Sequence, residues 1–433
     1  MRPFPTEGLF PKLRLILAIA FILGACAVPP WLSPEVTEEP GAPTVQPATP
    51  TPDNSTSTAG ATIITVWVPP GFDPGGGSPA ASLLQTRFDE FAEQHPQLRI
   101  EARVKAESGT GGLLDSLVNA KVAAPLALPD LVLMPHTQLS NAAQIEILLP
   151  LTDLSEEEAS DDWYGFATEM TEVDGVPFGL PFAGDALVLA YRPTALTQVP
   201  ATWEALLEGG LQLGFAAADP SAVFTLTKLS NTNAASEGVG AGLLFSSQTL
   251  TSVFEFFANG EEAGVFPFWL SQYQTNEQSW QAFTEGRVPM VAAWTSRVFD
   301  TRNVDILGAP LPSNDGDPYT LVKGWAWAVS SPQTERQALA MELAEFLTTP
   351  EFIAQWTAAA GMLPTRHSSL AAWPPDDKQA LSSQIADGAA ALPDEAVLDV
   401  WGPALSEAVV ALLKQEMTAE EAAQYVINAV SGQ

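Results

Sequence analysis

The first strong pattern along the chain is Ile63-Ile64-Thr65-Val66-Trp67-Val68, a β-branched and aromatic run that predicts a buried strand. A glycine loop to Gly77 follows, and Ser78-Pro79 supplies an N-cap with proline in the first turn. Leu84, Phe88 and Phe91 then recur at helical spacing. Leu98, Ile100, Ala102 and Val104 alternate with Arg99, Glu101 and Arg103, which predicts a half-buried strand and completes a β-α-β unit. A second helix carries Leu113, Leu117, Val118 and Val122 and leads to a strand at 130–134. The same alternation predicts strands at 186–191, 211–216, 290–294, 304–307 and 324–329. Helices are predicted at 250–259 with Gly260 as the stop, at 276–285, and at 333–347 capped by Ser331-Pro332. Beyond Thr349-Pro350 the pattern is almost wholly helical, and Thr418-Ala419-Glu420-Glu421 reads as a capping box.

The N-terminal stretch follows a different rule. Arg2, Lys12 and Arg14 precede an apolar run ending at Leu23-Gly24-Ala25-Cys26, too short to span a bilayer. This predicts a secretory signal over residues 1–25, and its last four residues look like the lipobox of bacterial lipoproteins, in which the cysteine is lipidated. The next stretch, residues 26–60, is rich in Pro, Thr and Ser and lacks periodic apolar positions, so it is read as a tether. The folded body is therefore expected outside the cytoplasm, held to the cell membrane through Cys26 alone.

Charge narrows the function. The 433 residues hold 51 Asp+Glu against 18 Lys+Arg, for a net charge of −33. The first 25 residues carry three of the basic side chains and one acidic one, so the remainder has a net charge of −35. Phosphate backbones and anionic lipid need clustered cations, so nucleic-acid partners and direct membrane binding are excluded. With 46% hydrophobic and 16% charged residues the body has material for a folded core rather than an acidic tail. One cysteine excludes an internal disulfide, and with three His it excludes a Cys-rich zinc site. No Gly-x-Ser-x-Gly elbow, His-Glu-x-x-His or P-loop lysine occurs, so no catalytic residue, metal ligand or cofactor is assigned.

The order of six segments resembles the extracellular solute-binding proteins of ABC importers, family 1, the maltose-binding-protein-like group. The segments are Ile64-Thr65-Val66-Trp67; Pro129-Asp130-Leu131-Val132-Leu133 with Leu148-Leu149-Pro150-Leu151; Asp174-Gly175-Val176-Pro177-Phe178-Gly179-Leu180-Pro181 with Val188-Leu189-Ala190-Tyr191-Arg192; Val199-Pro200-Ala201-Thr202-Trp203; Gly286-Arg287-Val288-Pro289-Met290 with Trp294; and Leu347-Thr348-Thr349-Pro350-Glu351-Phe352 with Leu363-Pro364-Thr365-Arg366. Arg192 stands where the family has asparagine, and Lys323-Gly324-Trp325 stands where it has a Gly-Gly pair, which places a bulky aromatic beside the expected cleft.

The resemblance implies an α/β, two-lobe, periplasmic-binding-protein-like fold of type II. Each lobe is a sheet flanked by helices, a hinge lies between them, and the C-terminal region is helical. Proline-marked breaks at Leu180-Pro181, Pro310-Pro312 and Thr348-Pro350 suit the crossings. They assign residues 61–182 plus 311–348 to lobe one, and 183–310 plus 349–433 to lobe two. The implied function is non-catalytic binding of a sugar or oligosaccharide by a monomer that delivers it to membrane permease subunits. The rival readings are a polyamine, peptide or metal-complex ligand on the same fold, and a lipid-anchored glycoside hydrolase.

Sugars need flat aromatic faces and fixed polar groups. Trp294, Trp325 and Trp373 are the leading aromatic candidates, with Trp269 behind them, while Trp203, Trp280, Trp356 and Trp401 lie in helical patterns and are read as packing. Loops after strands supply Phe72, Asp73, His136, Gln138 and Asp185, and Arg366 follows the last landmark.

Overall fold

The computed structural model describes residues 62–152, 161–196, 198–233, 245–301 and 303–432. The expected signal peptide, the tether and Cys26 lie outside them. In chain order the strands are β1 (Thr62–Val68), β2 (Leu98–Val104), β3 (Leu131–Pro135), β4 (Glu172–Val173), β5 (Val176–Pro177), β6 (Leu180–Tyr191), β7 (Leu213–Gly214), β8 (Met290–Trp294), β9 (Leu307–Ala309), β10 (Thr320–Val329), β11 (Leu363–Pro364) and β12 (Ala389–Ala391).

One sheet runs in the order β2-β1-β3-β10-β6-β8-β7, with β4 and β5 forming a separate hairpin. The β1 strand is parallel to β2 and β3, as the β-α-β reading requires, while β10 runs antiparallel to β3 and β6. The long β6 strand joins two halves. Its first residues, Leu180 to Ala186, pair with β10, and Leu187 to Tyr191 pair with β8 and β9.

Both faces of each half are covered, which is why the strands are almost continuously apolar. In β10, Trp325, Trp327 and Val329 face the core beneath the Pro79–Gln94, Thr334–Leu347 and Pro350–Ala360 helices. Ala326 and Ala328 point the other way, to Leu117 and Leu139. The far half of β6 repeats this division. Leu187 and Leu189 join the Ser247–Glu262, Glu395–Leu413 and Ala419–Ser431 helices, whereas Ala186, Val188 and Ala190 face Phe283, Phe299 and Leu381.

The packing also shows where one core gives way to the other. Leu311 and Leu321 lie in the far core, and Trp325 is the first β10 residue in the near one. Along β10 the packing passes from the far core to the near one between Leu321 and Trp325. Phe352 and Trp356, grouped with lobe two by sequence, pack in the near core.

Several expected boundaries move for local reasons. Gly260 does not stop its helix, which runs to Glu262; a Cβ there would meet the Phe266 ring at 2.1 Å, so the glycine makes room for that ring. Val304 is 87% exposed and the strand starts only at Leu307. Ser331 does not cap the next helix, which starts at Thr334 with Gln333 at its N-cap; the Ser331 hydroxyl donates to Asp130 Oδ1 at 2.6 Å. By contrast Ser78 accepts from Ala81 N with Pro79 in the first turn, and Thr418 forms the expected capping box with Glu421.

Candidate functional site

Asp185 and Lys323 are directly paired residues of β6 and β10. Asp185 is buried, and its carboxylate accepts from Thr295 Oγ1 at 2.9 Å, from Ser296 N at 2.9 Å and from Ser296 Oγ at 2.6 Å. Those donors begin the Thr295–Asp300 helix, so Asp185 pins its first turn and thereby the end of β8, where Trp294 sits. The Trp294 indole N–H donates to the Asn276 side-chain oxygen at 3.2 Å, with the amide oriented so that its nitrogen donates to Ala292 O at 3.3 Å. The ring is only partly buried, and its edge is fixed.

Residues two apart on a strand share a face, which puts Lys323 beside Trp325. The ammonium lies 3.5 Å from Asp185 Oδ2, 4.4 Å from the centre of the Trp294 ring and 5.7 Å from that of Trp325. Trp325 is 3% exposed, and its indole N–H completes no hydrogen bond. Glu107, from the loop after β2, is open to solvent yet hemmed by protein. Desolvation there raises its pKa above the ordinary carboxylate value, opposed by Lys323 and by the Trp325 indole. Gln138 is 3% exposed; its Nε2 donates to the Glu107 carbonyl at 3.2 Å, and its Oε1 has no partner.

Asp185, Trp294, Trp325 and Gln138 thus gather in one place, with Lys323 and Glu107 between them. The remaining sequence candidates do not join them as open contacts. Phe72 is buried behind Trp325, 4.9 Å between ring centres, and stacks on Trp356 at 5.1 Å and 7°. Asp73 closes a local turn, accepting from Gly75 N at 2.8 Å. His136 is buried, and its Nδ1 accepts from Gly324 N at 2.9 Å while Nε2 donates to Leu392 O at 2.9 Å. This engages both nitrogens in joining the start of the His136–Gln144 helix to β10 and the Leu392 segment.

Arg366 is 0% exposed; its Nε donates to Thr348 O at 3.1 Å and its guanidinium lies 3.6 Å from the centre of the Trp163 ring. Trp373 is buried with its indole donating to Ala354 O at 3.0 Å. Trp269 is half-buried against Tyr273. Arg366 and Trp373 therefore act as packing and bracing groups, because their polar atoms are spent inside the protein.

Two residues of the cluster were missed as candidates. Lys323 appears in the sequence only as part of the Gly-Gly departure, and its spacing from Trp325 was the available signal. Glu107 stands in a polar loop with no motif around it. A separate cavity of about 790 Å³ is lined by Tyr191, Val298, Phe299, Leu307, Lys378 and Leu381, and shares no residue with the cluster. Among the described residues no three His, Cys, Asp or Glu side chains gather to hold a metal ion.

The family profile described as bacterial extracellular solute-binding protein matches residues 86–386. No curated protein matches in sequence. Among solved structures, T. maritima MalE3 with maltose bound is 18% identical, with a TM-score of 0.65 over 86% of this chain and 99% of that one. The cyclic α-maltosyl-1,6-maltose binding protein of Arthrobacter globiformis is 18% identical, with a TM-score of 0.69 over 86% and 99%. The sugar-binding protein MalE of Xanthomonas citri is 17% identical, with a TM-score of 0.69 over 86% and 97%. At these identities the likeness establishes a shared two-lobe fold.

Proposed function

The chain belongs to the bacterial extracellular solute-binding proteins, and from that premise we propose that it binds a neutral sugar or oligosaccharide at the Trp294 cluster. One observation carries the reading: a fixed, partly open indole stands in the same cluster as Gln138 Oε1, a buried polar atom that completes no hydrogen bond, and the Trp325 indole N–H is turned to Glu107. Buried polar groups are normally hydrogen-bonded, so an orphan in a cluster with an aromatic face suits a ligand with both hydroxyls and apolar C–H surface.

Binding acts by closure. The halves of the sheet are joined through β6 and β10, so a small bend in these strands brings the Glu107 and Gln138 wall toward the Trp294 wall. Ligand contacts both walls only when closed and so shifts the equilibrium. The protein acts as a monomer, carries out no chemistry on the ligand and passes it to the permease of an ABC importer, with Cys26 as the lipid anchor.

Thermal shift against a panel of neutral oligosaccharides and polyamines tests this. A true ligand at 100 times its Kd adds about 2.7 kcal/mol of stability. At least one sugar is expected to do so, and Trp294→Ala to abolish the shift. A response to polyamines alone would overturn the sugar assignment, and release of monosaccharide during incubation would overturn the non-catalytic one.

A further inference from the structure

The Lys323 ammonium occupies an environment built for a cation. Asp185 Oδ2 is 3.5 Å away, the Trp294 and Trp325 rings present their faces at 4.4 and 5.7 Å, and Glu107 lies within its field. Aromatic faces backed by carboxylates are the chemistry that recognises alkylammonium groups. Here the chain supplies that group itself, on a side chain 34% exposed and therefore able to move.

We propose that Lys323 is the specificity-determining residue of the cleft, a built-in ammonium that fills the cation position and so admits neutral polyols while rejecting amines. This deepens the sugar reading of the same site. A polyol reaching Trp294 exchanges the lysine contact for C–H contact with the ring, and the displaced ammonium donates to a ligand hydroxyl. An amine reaching the same ring meets a like charge and finds Asp185 already held by Thr295, Ser296 and Lys323, while Lys323 already faces Glu107. The overall charge of −33 draws cations toward the protein at long range, so rejection has to be local.

Truncation to alanine removes a propylammonium unit, and n-propylammonium is the matching probe. In Lys323→Ala, n-propylammonium chloride should raise the melting temperature above that in sodium chloride of equal concentration, with no such difference in the wild type. By calorimetry, glucosamine should bind Lys323→Ala at least ten-fold more tightly than wild type, and Lys323→Arg should bind it no better than wild type. Lys323→Met keeps the apolar stem and provides the same comparison if the alanine variant fails to fold. Equal amine binding by wild type and both neutral variants overturns the proposal. Failure of maltotriose to bind wild type would count against the sugar reading and leave the amine comparison standing. Maltotriose binding with no gain of amine binding would do the reverse.

Discussion

Asp185 shows how one side chain can organise a site without facing solvent. Its three hydrogen bonds hold the turn that follows Trp294, and its negative charge steadies Lys323. Asp185→Ala should cost about 3 kcal/mol in urea unfolding, because it leaves buried donors and a cation without their acceptor. A loss below about 1 kcal/mol would mean that the helix start does not depend on the carboxylate. At this scale residue type alone was a poor guide. Trp294 and Trp373 both followed short strands or loops in the sequence, yet one remains partly open and the other is sealed against Ala354. The difference lies in which helix packs over each ring, and no local pattern records that.

The β10 strand is the element on which both halves of the molecule depend. Gly324 at its middle donates to His136, and a Cβ there would overlap Met170 Sδ, so a larger residue would have to push that side chain aside. Burial holds the His136 pKa below the ordinary 6.5, with the carbonyl oxygens of Leu392 and Gly324 and the charge of Asp394 opposing it. The unfolded chain therefore takes up a proton near pH 6.5 that the folded molecule refuses. Stability from the neutral ring is fully present above that pH and is lost as the pH falls below it.

His136→Gln should be about 1–3 kcal/mol less stable than wild type at pH 8, and the gap should narrow as the pH falls below about 6. Glu107 and Glu395 have raised pKa values and pull in the opposite direction in both proteins, so they cancel in the difference between the melting curves, which reports His136 together with Asp394, the carboxylate coupled to it. A gap unchanged from pH 8 to pH 5 would refute the assignment. The elements themselves were largely legible, since Ser78 and Thr418 cap where their local chemistry requires. Gly260 was misread because Phe266 claims the space beside it, and Ser331 because the helix after it begins only at Thr334.

Across the whole molecule the charge of −33 acts against compactness, since the carboxylates repel one another across the surface. Raising ionic strength from about 10 mM to about 150 mM shortens the screening length from roughly 30 Å to about 8 Å. The melting temperature should therefore rise over that interval, and a fall would show that attractive ion pairs outweigh the repulsion. The chain by itself determined the α/β class, several helix starts and the family, because these follow from periodicity, capping chemistry and segment order. Tertiary structure alone decided that the packing passes from one core to the other along β10, that Arg366 and Trp373 are braces, and that Lys323 stands over Trp294. The reason is physical: a hydrogen bond or ring contact between residues far apart in sequence depends on where the chain returns, and neither partner carries a local mark of it.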